Sequence, residues 1–171
     1  MDLKLGGKCA LITGATAGIG EAAAKLFAAE GVRLVLSGRR EDALKTLSEA
    51  IAASGAPAPA IIAGELDSAD GCEKIAAEAL DITDGQIDIL FNNAGASMPL
   101  DNPWDDAKWD ASLQLNFAAS RQMSAAIVPG MQTRKWGRII NTTGAMVTPV
   151  PNAAIPAKAA LQSWSRSLAI Q

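Results

Sequence analysis

The sequence predicts an α/β fold: one doubly wound, mostly parallel sheet with helices on both faces. Three observations point there. Short continuous apolar runs alternate with segments of helical period along nearly the whole chain. Continuous apolar runs are what strands covered on both faces look like, since each right-handed crossover deposits a helix on a face of a parallel sheet. A glycine-rich stretch separates the first run from the first helical segment, the punctuation of a tight strand-to-helix turn.

The elements follow in order. Residues 8–13 form an apolar run, and residues 20–30 carry alanine-rich helical spacing closed by Gly31. Residues 32–37 are a second strand. Arg39, Arg40, Glu41 and Asp42 then open a helix with Leu44, Leu47 and Ile51 on one face. Residues 60–66 predict a third strand, 69–80 a third helix and 87–92 a fourth strand. After an irregular stretch, residues 109–131 read as one long helix and 138–142 as a fifth strand. A loop holding Pro149, Pro151 and Pro156 precedes a last helix from about Ala157 to the C-terminus. No linker, charge run or repeat interrupts the pattern, so residues 1–171 are read as a single domain.

Composition narrows the function. The 171 residues carry 15 Lys+Arg against 18 Asp+Glu, and the net charge of −3 leaves no basic field for a nucleic-acid backbone. No run approaches the ~18 to 20 apolar residues that cross a bilayer. The start lacks the layout of a signal peptide, and Cys9 and Cys72 do not make a disulfide framework, so a cytoplasmic address is expected. The carboxylates are scattered and no metal cluster is expected. There is no His and no Tyr, so the two side chains most used for proton transfer near neutral pH are missing. Trp104, Trp109, Trp136 and Trp164 are expected in the core or an interface.

The turn 13–20 holds the ligand-binding signal. Gly14, Thr16, Ala17, Gly18, Ile19 and Gly20 lie between a strand and a helix, where bare backbone can approach a pyrophosphate at the helix N-terminus. The alternative is a tight turn with close helix packing. At the end of the second strand an acid would bond a ribose 2′-hydroxyl, but Gly38 stands there, followed by Arg39 and Arg40. Two guanidiniums suit a 2′-phosphate, so NADP(H) is preferred over NAD(H).

Thr13-Gly14-xxx-Gly18-Ile19-Gly20, together with Asn92-Asn93-Ala94-Gly95, resembles the short-chain dehydrogenase/reductase family. The match continues through Trp109, Leu115-Asn116-Phe117, residues 137–141 and Lys158-Ala159-Ala160-Leu161. The resemblance implies a Rossmann-type oxidoreductase acting by hydride transfer on a small-molecule carbonyl or secondary alcohol. It implies that Asp67 and Ser68 border the adenine and that Asn93, Ala94 and Gly95 border the ribose. It also implies a homodimer or homotetramer, with residues 109–131 and the last helix, including Ser163, Trp164, Ser167 and Leu168, at a seam.

Family members use a Ser, a Tyr and a Lys, with an Asn behind them. Lys158 and Asn116 match. The Tyr position, four before Lys158, is Ala154, and the Ser position falls at or next to Gly144, with Thr142 and Thr143 the nearest hydroxyls. Three readings stay open. Hydride transfer persists, with Lys158, Thr143 or water giving the proton; or the chain is a non-catalytic dinucleotide binder, a sensor or an inactive oligomer partner; or the site is altered or degenerate. Family members also continue for two further strands, so a chain ending at Gln171 is expected to be a fragment or incompletely recorded.

Overall fold

The computed structural model describes residues 3–145, 147 and 149–169. β1 (Cys9–Thr13) is the central strand, flanked by β2 (Arg33–Gly38) and β4 (Ile89–Asn92), with β3 (Ala60–Ala63) beyond β2 and β5 (Arg138–Asn141) beyond β4. Every pairing is parallel: Leu11 lies between Val35 and Leu90, and Ile12 between Leu36 and Phe91. The chain adds strands outward on one side of β1, then returns to add β4 and β5 on the other. That reversal leaves a crevice at the carboxyl ends of β1 and β4, where open α/β sheets bind ligands.

Helices cover both faces because successive strand side chains point to opposite sides. Leu11, Val35, Ile62 and Leu90 pack against Ile75 and Ala79 of α3 (Ala69–Ile82) and Met123 and Ile127 of α5 (Ala119–Thr133). Ile12, Leu34, Leu36 and Ile89 pack against Ala24 and Ala28 of α1 (Gly18–Ala29) and Leu44, Leu47 and Ile51 of α2 (Glu41–Ala53). Ser68 caps α3, its hydroxyl accepting from Gly71 N at 3.1 Å, and Asp105 caps α4 (Asp106–Leu113) by accepting from Lys108 N at 3.1 Å.

The doubly wound prediction stands, and several boundaries move. β3 stops at Ala63, three residues short, opposite the end of its partner strand at Gly38, and Gly64 N donates to the Gly38 carbonyl at 3.0 Å just beyond the ladder. β4 starts at Ile89, since Asp88 instead bonds both neighbours: its carbonyl accepts from Arg138 N at 2.9 Å and its carboxylate from Cys9 N at 3.0 Å. The single helix expected over 109–131 is α4, a π-helical turn at Gln114–Ala118, and α5. The last helix, α6 (Ala154–Leu168), begins three residues early. Trp104 is 84% exposed, so it is not a core residue; it follows Pro103 in the loop before α4. Trp136 instead packs between Lys8 and Arg138, 4.0 and 5.0 Å from its ring centre.

Candidate functional site

A cleft of about 610 Å³ opens at the carboxyl ends of the strands. Each strand delivers part of its wall: Gly14 and Thr16 after β1, Arg39 after β2, Asp67 after β3, Asn93 to Gly95 after β4, and Thr143 after β5. Ala17 and Ile19 enter from the start of α1, Asn116 from the π-helical turn, and Lys158 from α6. Gly18, Gly20, Arg40 and Ser68 are not on the wall and serve it indirectly.

The turn is shaped by contacts that only glycine permits. Gly14 has φ +65°, and a Cβ there would lie 2.8 Å from Ala94 Cα. A Cβ at Gly20 would overlap the Gly14 carbonyl oxygen and sit 2.6 Å from Asn93 Nδ2. Asn93 fastens the turn to β4 and β5: its Nδ2 donates to Gly14 O at 3.0 Å and its Oδ1 accepts from Thr142 Oγ1 at 3.1 Å. Thr13 Oγ1 accepts from both Asn93 N and Ala94 N, at 3.0 and 3.1 Å. No side chain caps α1, so its first amides stay available at the cleft's end.

The two arginines separate. Arg39 borders the cleft, whereas Arg40 Nη2 donates to Thr16 O at 3.1 Å and braces the turn from outside. A Cβ at Gly38 would lie 2.7 Å from Thr16 Cγ2, so a larger residue there requires the Thr16 side chain to shift. Ser68, expected beside an adenine, spends its oxygen on the α3 cap, while Asp67 lies on the wall.

At the inner end Lys158 is 9% exposed and donates to Thr142 O at 2.8 Å. Burial lowers its pKa below the ordinary lysine value, and no carboxylate pairs with it among the described residues. Gly95 lies against it, since a Cβ there would be 3.1 Å from Lys158 Nζ and 2.8 Å from Asn116 Oδ1. Asn116 is fully buried and clasps Ala96 like a backbone pair: Oδ1 accepts from Ala96 N and Nδ2 donates to Ala96 O, both at 3.1 Å. A π-helical turn advances the backbone enough to turn that amide away from the helix toward the β4 loop. Ala154 lies on the cleft wall one turn before Lys158, and among the described residues a Cβ on Gly144 would meet nothing nearer than Lys158 Cγ at 3.9 Å. Thr142 spends its hydroxyl on Asn93, whereas Thr143 is exposed on the wall.

Two supports were not read from the sequence. Asn152 Oδ1 accepts from Met98 N at 3.1 Å and Ala154 N at 2.9 Å while its Nδ2 donates to Ser97 Oγ at 2.9 Å, so it zips the loop after β4 to the start of α6. An Asn two residues before a helix start was the available signal. Asn92 Nδ2 donates to Asn141 Oδ1 at 2.9 Å, and Asn141 Nδ2 to Ser165 Oγ at 2.8 Å, joining β4, β5 and α6; Asn92 Oδ1 is buried without a partner among the described residues.

Lys158 sets a pH dependence. Its folded pKa lies below the unfolded value, so charging it opposes folding, and that cost is present below the folded pKa and fades as pH rises toward about 10.5. Lys158→Met should therefore raise the melting temperature of the ligand-free chain at pH 7, by about 2 to 4 °C for each kcal/mol gained. Thermal scans should show the gap closing as pH rises; a gap that widens would reject the uncompensated charge.

The family model for short chain dehydrogenases matches residues 8–171. The chain belongs to the short-chain dehydrogenase family. It is 34% identical to a short chain dehydrogenase of Pseudocercospora fijiensis over 98% of this chain and 56% of that one. To the 3-oxoacyl-[acyl-carrier-protein] reductase FabG of Escherichia coli it is 33% identical over 95% of this chain and 66% of that one. The chain thus spans only 56% to 66% of these two relatives' lengths. Among solved structures, L-sorbose reductase from Gluconobacter frateurii, complexed with NADPH and L-sorbose, superposes with a TM-score of 0.93 at 30% identity over 99% of this chain and 66% of that one. A metagenomic short-chain oxidoreductase in complex with NADP superposes at 0.86 with 32% identity, over 96% and 76%. No helix among the described residues is long and apolar enough to cross a membrane.

Proposed function

We propose that this chain is an NADP(H)-dependent oxidoreductase that acts on a small-molecule carbonyl or secondary alcohol. The observation that carries the reading is the convergence of the glycine turn, Arg39 and Lys158 on one cleft. The dinucleotide fits the residues present: the turn at Gly14 is a cradle that a Cβ would fill, and the amides of α1 face it uncapped. When bound, the cofactor supplies or accepts the hydride. Gly14, Thr16, Ala17 and Ile19 would hold its pyrophosphate, with Gly18 and Gly20 shaping the turn; Asp67 would border the adenine, and Asn93, Ala94, Gly95 and Lys158 the ribose. Asn116 fixes the β4 loop against Lys158, and the proton for a developing alkoxide comes from Lys158, Thr143 or water. NADP(H) preference rests on Arg39, with Arg40 bracing the turn instead of forming the second half of a pair. Carbonyl chemistry is supported by the relatives' names. A cytoplasmic, homodimeric or homotetrameric protein, with residues 109–131 and α6 at the seam, completes the reading.

The test is a fluorescence titration with NADPH and NADH, following energy transfer from tryptophan. Arg39→Ala should weaken NADPH binding about 10- to 100-fold, the equivalent of roughly 1.5 to 3 kcal/mol for a hydrogen bond to a charged group, and leave NADH binding unchanged. Arg40→Ala should weaken both cofactors by a similar, smaller factor. Equal losses for both cofactors in Arg39→Ala would remove the NADP assignment. Ala154 and Gly144 favour a second reading, a dinucleotide binder without turnover; NADPH binding with no reduction across a broad carbonyl panel would select it.

A further inference from the structure

We propose that the inner end of the cleft takes carbonyl compounds that carry their own acidic hydroxyl, phenolic or enolic, within hydrogen-bond reach of the carbonyl. This rests on the oxidoreductase reading and names its substrate class.

Lys158 is a buried ammonium with three donors. Its hydrogen-bond partner in the chain is the neutral Thr142 carbonyl, and among the described residues no acid pairs with it. Unpaired buried cations are costly, so the site is made to be completed by a ligand oxygen with negative character. The 171 residues contain no Tyr or His; Ala154 lies on the cleft wall one helical turn before Lys158, and among the described residues the nearest atom to a Cβ on Gly144, also on the wall, would be Lys158 Cγ at 3.9 Å. Leu115 and Ile155 add apolar wall beside them. A polar, acidic oxygen on an apolar frame matches that combination.

A carboxylate would pair with Lys158 equally well, but with an ordinary pKa near 4 it arrives already ionised at neutral pH and brings no proton. A phenol or enol arrives protonated and is acidified by the adjacent ammonium. The step then balances within the substrate. Hydride from reduced NADPH forms a C–H bond at the carbonyl carbon, and the C=O π pair moves onto oxygen. That oxygen takes the proton of the substrate's own hydroxyl. The oxyanion left behind rests on Lys158 and takes a proton from water on release, so the carbonyl is reduced to an alcohol and the cofactor oxidised to NADP⁺. Pre-positioning donor and acceptor in one molecule supplies the orientation that the chain's own side chains do not.

The experiment compares 2′-hydroxyacetophenone with its methyl ether. Without cofactor, the hydroxy ketone should bind at least about tenfold more tightly and develop phenolate absorbance at a pH below its free pKa; Lys158→Met should abolish the absorbance. With NADPH, the hydroxy ketone should be reduced about 10²- to 10⁴-fold faster than the ether, the range for a positioned general acid. Equal binding, no phenolate band, or equal turnover of the two ketones in the presence of bound NADPH overturns the substrate class alone. Failure of NADPH to bind overturns the oxidoreductase reading and the substrate class with it. The melting curve of Lys158→Met shows separately that this variant is folded.

Discussion

Ala154→Tyr combined with Gly144→Ser should raise NADPH-dependent reduction of a simple ketone by about 10²- to 10⁴-fold, the contribution of a positioned general acid. The geometry supports both changes. Ala154 sits one helical turn before Lys158 with its methyl on the cleft wall, so a longer side chain there runs alongside the ammonium. A phenol beside a cation loses its proton more easily than its ordinary pKa near 10 allows, which brings it toward neutral working range. Gly144 has no positive φ, and among the described residues a Cβ there would meet only Lys158 Cγ, at an ordinary 3.9 Å, so Ser can enter and donate to the carbonyl oxygen. Ala154→Tyr alone should give most of the gain and Gly144→Ser alone little, because a hydrogen-bond donor without an acid leaves the alkoxide unprotonated. The double variant should also lose the preference for ketones that carry their own hydroxyl, since the protein would then supply that proton. Initial rates at saturating NADPH measure it. A double variant that binds NADPH normally and shows no gain would mean that acid catalysis is not what this site lacks.

The fold was legible because its signals are local. Leu11 and Ile12 are neighbours in sequence and face opposite helix layers, so a continuous apolar run could mean only a strand buried on both sides. The glycine turn was legible for the same reason. Asn116 was half legible: an Asn in a helix of small and apolar residues had to bond something, and it bonds Ala96, but the π-helical turn that permits this leaves no mark in the periodicity. What stayed hidden depends on distant pairs. Sequence places Arg40 beside Arg39 as a phosphate ligand, and the bond from one of its N–H groups to the Thr16 carbonyl, which the sequence does not announce, adds a second use. Asn152, which ties together residues 97, 98 and 154, and the Asn92–Asn141–Ser165 chain connect segments dozens of residues apart, and nothing in the residues between announces the pairing. Ser68 stands directly after Asp67, yet one caps a helix and the other lines the cleft, a division set by the direction of a single backbone turn.

Gly20→Ala should cost more than Gly18→Ala. A methyl there meets the Gly14 carbonyl oxygen and Asn93 Nδ2, and neither can give way independently. Moving Gly14 drives it into Ala94, whose Cα already lies 2.8 Å from where a Gly14 Cβ would be; moving Asn93 breaks its bonds to Gly14 and Thr142. The strain therefore passes from α1 through the turn to the ends of β4 and β5. Overpacking of a fixed site costs roughly 1 to 3 kcal/mol, and here lost hydrogen bonds add about 1 kcal/mol each. Melting temperature should fall by about 5 °C or more, and NADPH affinity by at least about tenfold, because the turn that would hold the pyrophosphate is the part displaced. Gly18→Ala provides the comparison. Nothing stands within 4 Å of a Cβ there, so its cost is the left-handed backbone alone, φ +58°, roughly 1 to 2 kcal/mol. If both variants lose stability equally, conformational freedom and not close packing explains the glycines. If Gly20→Ala is the worse of the two and also loses NADPH while Gly18→Ala keeps most of it, the contact between α1 and Asn93 is what shapes the cofactor cradle.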